Sequence, residues 1–311
     1  MLIMRNYIFC AIILTVTLST VLADEHWHYP TPGSNGVIDE AEHWGGKCDT
    51  GKRQSPVDLT YEASVKGAYA PFSFRNYVNP IRKAKITNTG HSIQINNNDN
   101  NVLIVGGGLP GTYVLDQLHF HWGSEHTIQA IRYGLELHIV HHDTRFANIQ
   151  EASNIHNGIA VLGILFHVSA HPNPDLEIIL NSAEPIKGNV SGQAPLVEKV
   201  SPYRLLPNDT TTYFRYDGSL TTPGCGEAVI WTVFTHSLPI SLDQVERFKT
   251  IKTEDGHELL VNFRSLQPLN ARALVYVTPG EDPVDNSAIK SSAISFTILM
   301  IVSAIFQHFL L

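Results

Sequence analysis

The sequence predicts a mainly β fold in one domain, and three observations support it. First, apolar and polar residues alternate with period two at 91–95, 102–105, 114–122, 135–141 and 227–234, with Gly, Pro and Asn between. Second, helical periodicity is scarce: 241–249 (SLDQVERFK) is its best instance, with Ser241 placed as a cap. Third, no internal repeat or shift in composition divides the chain. The asparagine-rich run at 96–101 (NNNDNN) reads as a turn between apolar segments.

The ends read as processing signals. Residues 1–23 carry one positive charge, Arg5, then an apolar run from Tyr7 to Leu18 and the sequence Val21-Leu22-Ala23. Small residues at the last and third-last positions suit a signal peptide cut after Ala23. The run is too short to cross ~30 Å of hydrocarbon. At the other end a polar stretch (PGEDPVDNSAIKSS) precedes an apolar tail from Ala293 to Leu311 with no Lys or Arg behind it. Such a tail reads as a GPI-attachment signal, with 287–311 removed and the lipid on Asn286, which precedes Ser287 and Ala288. A spanning helix is the alternative, but it ordinarily carries cytoplasmic Lys or Arg.

The expected mature protein is therefore 24–286, at the outer face of the plasma membrane and held to the outer leaflet by lipid. A net charge of −8 with dispersed basic residues argues against a nucleic-acid partner. Of the three cysteines, Cys10 leaves with the signal peptide. Cys48 and Cys225 remain, and an even pair in an oxidising compartment is most simply one disulfide. Asn189 and Asn208 open glycosylation acceptor triplets.

The segment 114–122 (VLDQLHFHW) holds the most chemical information. On a strand, Gln117, His119 and His121 share one face, and Leu118, Phe120 and Trp122 share the other. A second alternating strand places Glu136, His138 and Val140 on one face. If the two pair antiparallel, His138 joins His119 and His121. Three neutral imidazoles and one open position describe a catalytic zinc site rather than a structural one, which a fourth protein ligand would close. Gln117 and Glu136, each two residues before a histidine, are placed to accept the other ring N–H and set the tautomer.

These segments resemble the α-class carbonic anhydrases, and specifically their extracellular, membrane-anchored type. The family's motifs stand in order over 27–278: EHWGGKC, RQSPVDL, NTGHS, QLHFHWG, SEHT, ELHIVH, AVLGI, SLTTPGC and VNFRSLQPLN. The resemblance implies a large twisted, mostly antiparallel sheet with short surface helices. It also implies reversible hydration of carbon dioxide to bicarbonate and a proton, with Zn2+ on His119, His121 and His138. By the same resemblance the Asn262 backbone carbonyl supports His121, Thr221 orients the nucleophile, and Glu125 orients Thr221. Thr222 contacts substrate, while Val140, Val161, Leu220 and Trp231 wall an apolar pocket. His91 matches a proton shuttle, and Tyr29 a tyrosine that orders water beside it. The loop before Ser124 is shorter than in many relatives. A non-catalytic binding or adhesion domain is the alternative, but such relatives lack one or more of the three histidines. An ester or peptide hydrolase fits less well, since nothing suggests a groove for an extended chain.

Overall fold

Most of the chain is organised by one long sheet. The computed structural model describes residues 27–29, 43–82, 84–97 and 101–279. The expected signal peptide, the apolar tail and Asn286 lie outside them. Among the described residues no helix is long and apolar enough to cross a membrane.

Among the described residues the sheet has 13 strands. Its central run is Ile93–Asn96, Tyr113–Trp122, Leu135–Asp143, Ile159–Ser169, Val229–Phe234 and Tyr213–Gly218. Most neighbours are antiparallel, as expected. Ile159–Ser169 runs parallel to both Val229–Phe234 and Leu238–Ser241, and Leu274–Val277 runs parallel to Ser64–Gly67.

The two histidine-bearing strands, Tyr113–Trp122 and Leu135–Asp143, pair antiparallel with His138 opposite His119 and Glu136 opposite His121. The pleat then divides their side chains between two cores. Leu118, Phe120, Trp122, Leu135, Leu137 and Ile139 enter the larger core. Two helices close it, Pro174–Ala183 and Leu242–Lys249. Leu176, Ile179 and Leu180 of the first and Val245 and Phe248 of the second are its buried stripes. Such spacing follows a helical face. Ser241 caps the second helix through a capping box with Gln244, as its position predicts.

The opposite face carries a smaller core that includes Val140, Val161, Trp231, Phe214 and Tyr216. A disulfide joins Cys48 to Cys225 across 177 residues and ties the 219–225 turn to the segment 48–55. Hydrogen bonds reinforce that tie: Gln54 Nε2 donates to the Cys225 carbonyl, and the Ser55 amide donates to Ser219 Oγ.

Candidate metal centre

Each of the three histidines is held by one ring nitrogen, so the other is left to point inward. His119 Nδ1 donates to Gln117 Oε1 at 2.8 Å. His121 Nδ1 donates to the Asn262 carbonyl at 2.6 Å. His138 Nε2 donates to Glu136 Oε1 at 2.8 Å. A carbonyl or carboxylate oxygen can only accept, so the tautomers follow from the partners. The remaining nitrogens, His119 Nε2, His121 Nε2 and His138 Nδ1, therefore carry lone pairs.

Those three atoms lie within 4.8 Å of one another. His138 Nδ1 and His119 Nε2 are 3.2 Å apart. Two acceptors at that distance repel unless a proton or cation lies between them. His121 Nε2 is buried and has no hydrogen-bond partner, which costs free energy unless a ligand satisfies it. The donor set thus fits a cation that prefers imidazole, and zinc is such a cation.

Burial sets the electrostatics. Desolvation, with the neighbouring imidazoles of His121 and His138, holds His119 well below the usual histidine range. Desolvation likewise lowers His121, against the Glu125 carboxylate, which raises it. For Glu136, burial opposes ionisation, but His126 and His138 outweigh it and hold the carboxyl well below the ordinary range. Glu136 accepts from His126 Nδ1 at 2.7 Å and from the His126 amide at 2.8 Å, besides His138. His126 Nε2 in turn meets the Tyr216 hydroxyl at 2.6 Å. His126, Glu136 and His138 also cluster like metal ligands, but they satisfy one another and form a support network instead.

A cavity of about 240 Å³ opens over the histidines. Strand register explains one wall: Val140 lies opposite Val161, and Val161 opposite Trp231. Leu220, Thr221 and Thr222 line the same cavity. Their loop is held by Trp231 Nε1 donating to the Ser219 carbonyl and by the Leu220 amide donating to Gly226. His91 and Tyr29 line the cavity as well, and the His91 ring stacks on Trp27 at 3.8 Å between centroids. Asn262 supports the site with its side chain too, donating to the carbonyls of His91 and Phe120 and accepting from the Trp122 amide.

One expected contact is absent. Glu125 is fully buried, but its Oε2 has no hydrogen-bond partner, so it does not hold the Thr221 hydroxyl. The tight turn at 123–126 accounts for this. Gly123 adopts φ 73°, Arg132 clamps the Ser124 carbonyl, and the Arg264 amide pins Glu125 Oε1. Oε2 is left facing His121 Nε2 at 3.6 Å. Sequence reasoning missed His126 and Trp27. His126 stands next to Glu125 in SEHT and Trp27 two residues before Tyr29, so adjacency to named positions was the available signal. Asn189 and Asn208 are both exposed.

A large mixed sheet carries three histidines that could hold a metal ion, set beneath an apolar-walled cavity. Comparison with known proteins gives the family. The profile described as eukaryotic-type carbonic anhydrase matches residues 39–278, and the chain belongs to that family. It is 32% identical over 263 residues to a putative carbonic anhydrase 3 of Caenorhabditis elegans, covering 81% of this chain and 98% of that protein. It is 32% identical over 268 residues to carbonic anhydrase 6 of Bos taurus, covering 81% and 80%.

Proposed function

We propose that this chain reversibly hydrates carbon dioxide to bicarbonate and a proton, with zinc held by His119, His121 and His138. The observation that supports this best is the convergence of three lone pairs whose ring partners are each tied by a different hydrogen bond. Zinc held there supplies a Lewis acid that brings the pKa of water to about 7, the value known for carbonic anhydrases.

The chain's own residues supply the rest. Val140, Val161, Leu220 and Trp231 exclude water and receive a small apolar substrate that offers few groups to bind. Thr221 and Thr222 present hydroxyls that can hydrogen-bond the nucleophile and the product oxygens. Glu125 keeps one unpartnered oxygen beside His121, where it favours the cationic form of whatever the site binds. Each turnover releases a proton, and His91 at the cavity wall is placed to carry it outward, with Tyr29 beside it.

Zinc content measured by atomic emission, together with stopped-flow hydration, tests the reading. One zinc per chain and rapid hydration are expected, and His138→Ala should lose both. Full hydration by His138→Ala at limiting zinc would overturn the assignment. The N-terminal and C-terminal segments support a site at the outer cell surface with a GPI lipid at Asn286. Release of the enzyme from cells by phosphatidylinositol-specific phospholipase C is the expected result. Resistance, with a mature peptide running through Phe296, would mean a spanning tail.

A further inference from the structure

A second cavity, of about 440 Å³, lies against the strand Tyr213–Gly218, away from the three histidines. Arg53, Tyr69, His156, Arg215, Asp217 and Arg272 are the lining residues that bear on its chemistry. Arg215 and Tyr216 are successive on that strand and so project to opposite faces. Tyr216 hydrogen-bonds His126 in the network behind His138 and also lines the second cavity, as Arg215 does.

Arg215 is 5% exposed, yet among the described residues no carboxylate lies within ion-pair distance of it. Its Nε and Nη2 share a single acceptor, Thr232 Oγ1, at 3.2 and 2.8 Å. The rings of Tyr69, Phe72 and Tyr213 stand 5.5, 5.9 and 5.4 Å from its guanidinium carbon. Close approach of the chain at Gly108 helps to build this box, since a Cβ there would lie 2.5 Å from the Tyr69 ring. Nη1 of Arg215 has no hydrogen-bond partner among the described residues. A buried guanidinium is costly unless it is paired, and burial accordingly lowers the pKa of Arg215.

The other charges do not pair it. Arg53 is offset by Glu227, 3.5 Å away, and also donates to His156 Nδ1 at 3.0 Å. Among the described residues Arg272 donates to the backbone carbonyls of Leu269, Asp217 and Pro268. Asp217 is the one carboxylate on the cavity wall, and its nearest ionic neighbour is His156 at 3.8 Å. Asp217 can offset one of Arg215 and Arg272, which leaves one cation in excess. Ile230 and Val275 add an apolar wall, and the volume falls in the range of small-molecule sites.

We propose that this cavity binds a small organic oxyanion, its carboxylate or phosphate on Arg215 and Arg272 and its apolar body against Tyr69, Ile230 and Val275. A guanidinium fork suits either head group. The site is separate from the histidine cavity and does not depend on its function.

Calorimetric titration of the zinc-loaded protein with benzoate and with inorganic phosphate tests it. The same titrations on His138→Ala distinguish this cavity from the histidine site. One-to-one binding of at least one probe, unchanged in His138→Ala, is expected; the tighter probe shows which head group the site prefers. Arg215→Met should weaken binding at least about tenfold, as expected for loss of a charge-assisted contact. Arg272→Gln should weaken it and Asp217→Asn should strengthen it, and these two carry the test if Arg215→Met does not fold. Failure of both probes to bind at millimolar concentration would overturn the proposal. So would binding that none of the three substitutions changes.

Discussion

Three histidines each turn one lone pair inward, His119 and His121 through Nε2 and His138 through Nδ1, because three partners of different kinds hold the other nitrogen: an amide, a backbone carbonyl and a carboxylate. Their consequences on mutation should differ. Glu136 also holds His126, and all three groups are buried. Glu136→Ala should therefore cost roughly 10–100-fold in zinc affinity and also about 1–3 kcal/mol of stability, because His126 loses its acceptor. Gln117→Ala should cost affinity alone, since Gln117 is half-buried and among the described residues its side chain holds only His119. Competition with a chelator and thermal melting separate the two effects; equal destabilisation by both substitutions would contradict the distinction. His91→Ala should slow the saturating rate in weak buffer by on the order of tenfold or more and leave the second-order step unchanged. Added imidazole should restore the rate. An unaltered saturating rate would make His91 a wall residue only. At this scale the side-chain partners were legible, because residues i and i+2 on a strand share a face. The Asn262 carbonyl was not legible from the pattern and came only from the family resemblance, since any residue offers that atom.

Among the elements, strands whose sequence alternates were readable even where every residue is buried, as in Leu135–Asp143, and a strand that reads as one apolar run was not. Ile159–Ser169 reads IAVLGILFHVS, and its first eight residues are all buried. A continuous apolar run has no period to detect. Short edge strands such as Ser64–Gly67 carry too few residues for a pattern. The helix Pro174–Ala183 also went unpredicted, although Asn173 caps it and proline occupies its first position. Gly163 in the buried strand has a role that only register reveals. It lies opposite His138, and a Cβ there would come within 3.0 Å of Glu136 Oε1 and 3.2 Å of Val233. Glu136 is held by three hydrogen bonds and cannot give way. Gly163→Ala should therefore cost about 1–3 kcal/mol in overpacking and weaken zinc binding. Melting and chelator competition would show this, and a variant of full affinity would mean that the carboxylate is free to shift.

Over the whole molecule, the disulfide and the sheet together hold a loop of 177 residues. In the chain-entropy treatment such a closure is worth about 5 kcal/mol. Replacing Cys48 and Cys225 together by Ser should lower the melting temperature by roughly 10–20 °C. Because the bridge anchors the 219–225 turn, hydration should also weaken as Thr221 loses its fixed position, while zinc content stays at one per chain. An unchanged melting temperature would show that the hydrogen bonds of Gln54, Ser55 and Ser219 hold the turn unaided. The sequence by itself determined the strand faces, the three candidate ligands, two of their partners and the cysteine pair. All of these rest on local periodicity or on residue type, which short segments carry in full. Tertiary structure alone decided that Glu125 leaves Thr221 unheld, that Trp27 stacks on His91, that Gly163 makes room for Glu136, and that Arg215 is buried without a carboxylate. Each of these depends on which distant segments meet, and spacing along the chain does not encode distance through space.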